Sequence, residues 1–88
     1  LRVDVFLKLT GIFKTRSAAG RAASAGYVSI GGRKLKSSHN VSPGQVIDIV
    51  RPDGRSLSIE VSAIPEDRQV PRKERDKYFS IREEHDRW

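Results

Sequence analysis

Cysteine is absent from this 88-residue chain, which removes disulfide staples and thiolate metal sites and fits a reducing compartment. Long apolar runs are missing too. No stretch approaches the roughly 20 residues that a membrane-spanning helix needs, and none resembles a signal peptide. These absences predict a cytoplasmic protein with no membrane partner. His39 and His85 stand far apart and neither has a metal-ligand spacing, so no metal or cofactor is expected. There is no G-x-x-x-x-G-K-[ST] loop, and no serine has a base with an orienting carboxylate near it in sequence. Glu83 and Glu84 are adjacent and diverge on a helix. The sequence therefore predicts no catalytic residues. Its length allows one modest core, so a binding site is expected on a face and not in a deep cavity.

Acid is the other scarcity, and it is local. The formal net charge is +6, from 17 Lys and Arg against 11 Asp and Glu. Residues 1–36 hold eight basic side chains and one acid, Asp4, whereas residues 72–88 hold six basic and five acidic. A positive field concentrated at one end attracts polyanions. Binding a membrane surface takes a long basic amphipathic helix with aromatic anchors, which the chain does not have. Nucleic acid is the better-matched partner.

Apolar spacing predicts a first helix over about residues 4–10, with Asp4 as a cap accepting a backbone N–H near Leu7 and Gly11 as the stop. Ser17 is placed to cap a second helix, Ala18–Ala25. Its small face of Ala19, Ala22 and Ala23 allows close packing on the first helix, a contact that also rationalises Gly20. Gly26 suits the left-handed position after the helix end. A strand over Tyr27–Ile30 follows, then a Gly31-Gly32 turn and a short return through Arg33–Leu35. Residues 37–41 read as a loop, and Pro43-Gly44 as a turn. Val46–Val50 and Ser56–Val61 read as an antiparallel hairpin around Pro52-Asp53-Gly54, with Leu57, Ile59 and Val61 inward. Residues 1–64 are expected to form one domain and 65–88 a polar C-terminal extension. In that extension Lys73–Phe79 makes a helical turn or two, and Tyr78, Phe79, Ile81 and Trp88 are the only anchors.

The stretch from Arg16 to Gly32 is the expected working surface. Arg16 sits just before the second helix, where exposed N–H groups favour phosphate. Arg21 lies on that helix, Lys14 is just upstream, and Arg33 and Lys34 follow the glycine turn. His39 stands in a polar loop, where a phosphate contact is a lesser option. The second helix carries Ala, Gly and Ser where a DNA-reading helix carries Asn, Gln and Arg. Structured RNA, recognised by shape and backbone, is the more suitable ligand.

Arg2-Val3-Asp4, Phe6-Leu7, Thr15-Arg16-Ser17, Ala19, Arg21-Ala22, Gly26, Val28, Ile30, Gly32 and Pro43-Gly44-Gln45 together resemble the S4 RNA-binding domain family, over about residues 2–50. The resemblance implies an α+β, S4-like (alpha-L) fold of two packed N-terminal helices followed by a small antiparallel sheet. It implies that Arg2, Lys14, Arg16, Arg21 and Arg33 face RNA, with Lys8 and Lys34 as further backbone contacts. Asp4 would orient a neighbouring arginine, and Ser17, Gly26, Gly31 and Gly32 would support the surface. The family usually has Asn where this chain has Gly31, so an asparagine contact is not carried over; the turn is. Length, second hairpin and the tail from Lys77 to Glu84 are similar to the small standalone S4 proteins of ribosome-associated quality control and, more distantly, to a small ribosome-associated heat-shock group. That similarity implies a partner of the large ribosomal subunit, contacting 23S rRNA and peptidyl-tRNA after a stall. There it would help a nascent-chain tailing factor add alanine tails. A monomer is the default expectation, since the odd exposed aromatic candidates are confined to the tail. A general rRNA-binding or assembly factor, and a protein-interaction module with incidental charge, remain the alternatives. An RNA-modifying enzyme would need a catalytic aspartate in a pocket, and none stands out.

Overall fold

The computed structural model describes residues 1–51, 53–66 and 69–85. Helices α1 (Val3–Leu9) and α2 (Arg16–Ser24) come first. Strands β1 (Val28–Ile30), β2 (Arg33–Lys34), β3 (Val46–Val50) and β4 (Ser56–Val61) follow, then a 3₁₀ helix (Arg72–Lys77) and strand β5 (Phe79–His85). The strands form one sheet in the order β2-β1-β3-β4-β5, every neighbouring pair antiparallel. Two N-terminal helices and an antiparallel sheet are the architecture the sequence predicts.

The core follows from the apolar spacing. Val3, Phe6 and Leu7 of α1 and Ala19, Ala22 and Ala23 of α2 join Val28, Ile47, Ile49, Leu57, Ile59 and Val61 in one buried cluster. In β3 and β4 alternate residues turn inward, and the register sets Ile47 opposite Ile59 and Ile49 opposite Leu57. Full burial of an isoleucine is worth about 1.5–3 kcal/mol, so this ladder anchors the sheet. The alanines keep α2 thin enough to lie close on α1. Gly20 does not serve that contact: a Cβ there would lie 4.0 Å from Cβ of Ser37, in ordinary space.

Both helix starts differ from expectation. The first N–H groups of α1 are satisfied from a loop, Val3 N–H donating to the His39 carbonyl at 2.7 Å and Asp4 N–H to that of Ser37 at 3.4 Å. Asp4 therefore does not cap toward Leu7; it sits inside the first turn with its carboxylate engaged elsewhere. In α2 the cap is Thr15 and not Ser17. Thr15 is extended (φ −135°, ψ 156°), and its Oγ1 accepts from Ala18 N–H at 3.0 Å. Ser17 is two residues too late, already helical. The helix end agrees with the sequence: Gly26 has φ +88°, Tyr27 N–H donates to the Ala22 carbonyl and Gly26 N–H to that of Ala23. This paired pattern closes the last turn.

The C-terminal segment holds the larger difference. Its helical turns appear as the 3₁₀ helix, but β5 is a strand the sequence reading does not contain. It pairs with β4 from Val61↔Phe79 to Ser56↔His85, with a bulge that leaves Arg82 as the extra residue between the Ile59↔Ile81 and Ser58↔Glu83 pairs. Every residue of β5 after Phe79 is exposed. Tyr78 and Phe79 pack against the core as expected, whereas Ile81 is 53% exposed. Trp88 and Pro52, also named from the sequence, lie outside the described residues.

Candidate nucleic-acid interface

Asp4 is the joint of the basic surface. The residue is 4% exposed, and its carboxylate receives four hydrogen bonds from three residues. Arg2 donates Nε–H to Oδ1 at 3.2 Å and Nη2–H to Oδ2 at 3.1 Å, a two-pronged pairing. Arg16, twelve residues on, donates Nε–H to Oδ2 at 3.3 Å, and Val5 N–H donates to Oδ1 at 2.8 Å. Burial pushes the Asp4 carboxyl up, but the Arg2 and Arg16 hydrogen bonds, the Val5 N–H and the Arg2 charge outweigh it. They hold it below the ordinary value of 3.8. Asp4 thus stays ionised and ties the start of α1 to the start of α2.

The two arginines are held and still available. Their side chains are 43% and 54% exposed. A guanidinium has five N–H donors, of which Arg2 uses two and Arg16 one in this cluster. Both forks can therefore meet an anion without being released from Asp4. Arg21 is exposed on α2, outside the cluster.

A second group gathers at the glycine turn. Gly31 and Gly32 have φ +57° and +80°, the doubly left-handed pattern of a two-residue hairpin, and Ile30 pairs with Arg33 across it. A Cβ at either glycine would meet nothing within 4 Å. The requirement is thus conformational, and asparagine, which tolerates positive φ, fits position 31. Exposed Arg33 and Lys34 line a groove with Lys36, His39 and Gln45. His39 Nε2 lies 3.5 Å from Gln45 Oε1, which accepts the Ser42 N–H at 2.9 Å. Gly26 abuts this region, since a Cβ there would be 3.9 Å from Cδ of Lys34.

Lys8 and Lys14 belong to neither group. They line a separate groove with Arg72 and Arg75 of the 3₁₀ helix. The seven basic positions named from sequence therefore divide among the Asp4 cluster, the hairpin groove, this third groove and the open face of α2. Arg72 and Arg75 are additions that only the folded chain brings in. Among the described residues no group of three His, Cys, Asp or Glu is placed to hold a metal ion, and no helix is long and apolar enough to cross a membrane.

Comparison with known proteins gives a consistent picture. The model of the S4 domain matches residues 1–47. The chain is similar to the RQC P-site tRNA stabilizing factor of Bacillus subtilis (strain 168), with 37% identity over 49 residues, 56% of this chain and 57% of that protein. It thus spans little more than half the length of that curated relative. Among solved structures, trimeric Heat Shock Protein 15 of Vibrio cholerae superposes with a TM-score of 0.82 at 26% identity, over 92% of this chain and 80% of the other. The solution structure of the hypothetical protein HP1423 gives 0.78 at 29% identity, over 94% and 98%.

Proposed function

The chain belongs to the S4 domain family, and on that premise we propose that it is a non-catalytic RNA-binding protein of the large ribosomal subunit. Its face comprises Arg2, Arg16 and Arg21 on the helices and Arg33 and Lys34 beyond the glycine turn, with Lys8 and Lys14 alongside. Its RNA ligands are 23S rRNA and the peptidyl-tRNA of stalled, split ribosomes. There it supports a tailing factor that extends the nascent chain with alanine. The likeness to a factor named for stabilising P-site tRNA supports this finer role.

The observation that carries the RNA reading is the Asp4 cluster. The one acid among the first 36 residues is buried beneath two arginines instead of cancelling the field at the surface. Arginine forks fixed before binding lose less side-chain freedom on meeting phosphate. They position the protein on a backbone without reading bases.

A general rRNA-binding or assembly role is the second reading. It is favoured by one fact: the similarity to the tRNA-stabilising factor covers 56% of the chain, while structures bearing other names match more than 90%. Both readings use the same face. Sedimentation with isolated large subunits tests it: binding should weaken steeply with salt, and Arg16→Glu should lower affinity about tenfold or more at 0.1 M salt. Undiminished binding by that variant contradicts the assigned face. Recovery with subunits that carry peptidyl-tRNA, rather than with assembly intermediates, separates the two roles.

A further inference from the structure

We propose that the groove between the C-terminal end of α1 and the 3₁₀ helix is a second contact for the RNA sugar-phosphate backbone, with Arg72 and Arg75 as ligands from outside the S4 match. It rests on the reading that the helical face binds RNA. Lys8, Lys14, Arg72 and Arg75 converge on this groove, and no carboxylate lines it among the described residues.

The sequence of the 3₁₀ helix explains how the charge is sorted. With three residues per turn, side chains three apart eclipse one another and form three ranks. Lys73 lies over Asp76, and Glu74 over Lys77, opposite charges in each rank; Lys77 Nζ reaches Glu74 Oε1 at 3.4 Å. The remaining rank is Arg72 over Arg75, two like charges, and it is the rank that supplies both groove cations. All the uncompensated charge of this element is therefore on one side.

Among the described residues Arg75 is seated by packing and not by an acid. Gly11 has φ +78°, and a Cβ there would overlap Nη1 of Arg75 and lie 3.1 Å from its Cζ. Nε of Arg75 is buried with no hydrogen-bond partner among the described residues. The guanidinium is thus fixed beside the end of α1, whose partial negative charge tolerates a cation but does not neutralise one. Lys14 connects this groove to the first surface: its Cα is at most about 7 Å from that of Arg16, two residues on. One RNA strand can engage both.

The test is Arg72→Gln in the full chain, bound to isolated large ribosomal subunits across a salt series. Arg72 is exposed, so the melting temperature should not change. Loss of one phosphate contact makes the slope of log Kobs against log salt shallower by about 0.9, roughly a threefold smaller fall between 50 and 200 mM. The Glu74→Gln, Lys77→Gln double variant alters the same helix on another rank and should leave the slope unchanged. An unaltered slope for Arg72→Gln, with Arg16→Glu still impaired, overturns the groove and leaves the helical face standing. A lowered melting temperature with an unaltered slope assigns Arg72 a structural role and also overturns it. A slope lowered by Arg72→Gln but not by Arg16→Glu removes the helical face and with it the proposal of a second contact beside that face.

Discussion

Around α1 and α2, one buried carboxylate holds two arginines, and Lys8, Lys14 and Arg21 have no carboxylate partner among the described residues. Between β4 and β5 a cation meets an acid across the ladder: Arg82 Nη1 lies 3.0 Å from Glu60 Oε1. Basic side chains are common at both ends of the sequence; what separates the two regions is where the acids stand. An acid beneath the surface fixes cations and leaves their outer donors free. An acid beside a cation on the surface cancels it. The first arrangement makes a site for a polyanion, the second a solvated edge.

The sharpest way to break this contrast is to remove the buried acid. Asp4→Asn keeps the shape but loses the charge that pairs with Arg2 and Arg16. It should cost about 1–2 kcal/mol in urea unfolding, a figure discounted because both arginines are about half exposed. The pH dependence has a definite sign. The folded Asp4 carboxyl lies below its unfolded value of 3.8, so its contribution is fully present above that value and is lost as pH falls through the lower, folded value. Asp4→Asn should therefore flatten this part of the acid limb of the stability profile. An unchanged acid limb would show that the cluster contributes no stability. The smallest effect is expected at the other region. Arg82→Ala breaks a pair whose side chains are 55% and 41% exposed, so stability should change by less than about 0.5 kcal/mol, with subunit binding unchanged.

The same contrast explains what the sequence made visible. Gly26, the glycine pair at 31 and 32 and the alternating residues of β3 and β4 announce themselves locally, because positive φ and burial are properties of single positions. The cap of α2 was harder to place: Thr15 and Ser17 both carry a hydroxyl, and only the extended backbone at Thr15 selects between them. β5 gave almost no signal. It is an edge strand held by backbone bonds, and after Phe79 its side chains are exposed on both faces, so Glu83, Glu84 and His85 read as a polar tail. Side-chain convergence was the least legible feature. The Asp4–Arg16 bond spans twelve residues, and the meeting of Lys8 and Lys14 with Arg72 and Arg75 depends on the path of the chain through the whole sheet.

The most direct test of the central claim is the affinity of Asp4→Asn for isolated large ribosomal subunits, compared with the unaltered chain at equal salt. The substitution raises the formal net charge by one, from +6 to +7. If Asp4 serves to hold Arg2 and Arg16 in place for phosphate, affinity falls even though the protein has become more positive. If affinity rises with the added charge, the arginines need no holding and the account is contradicted.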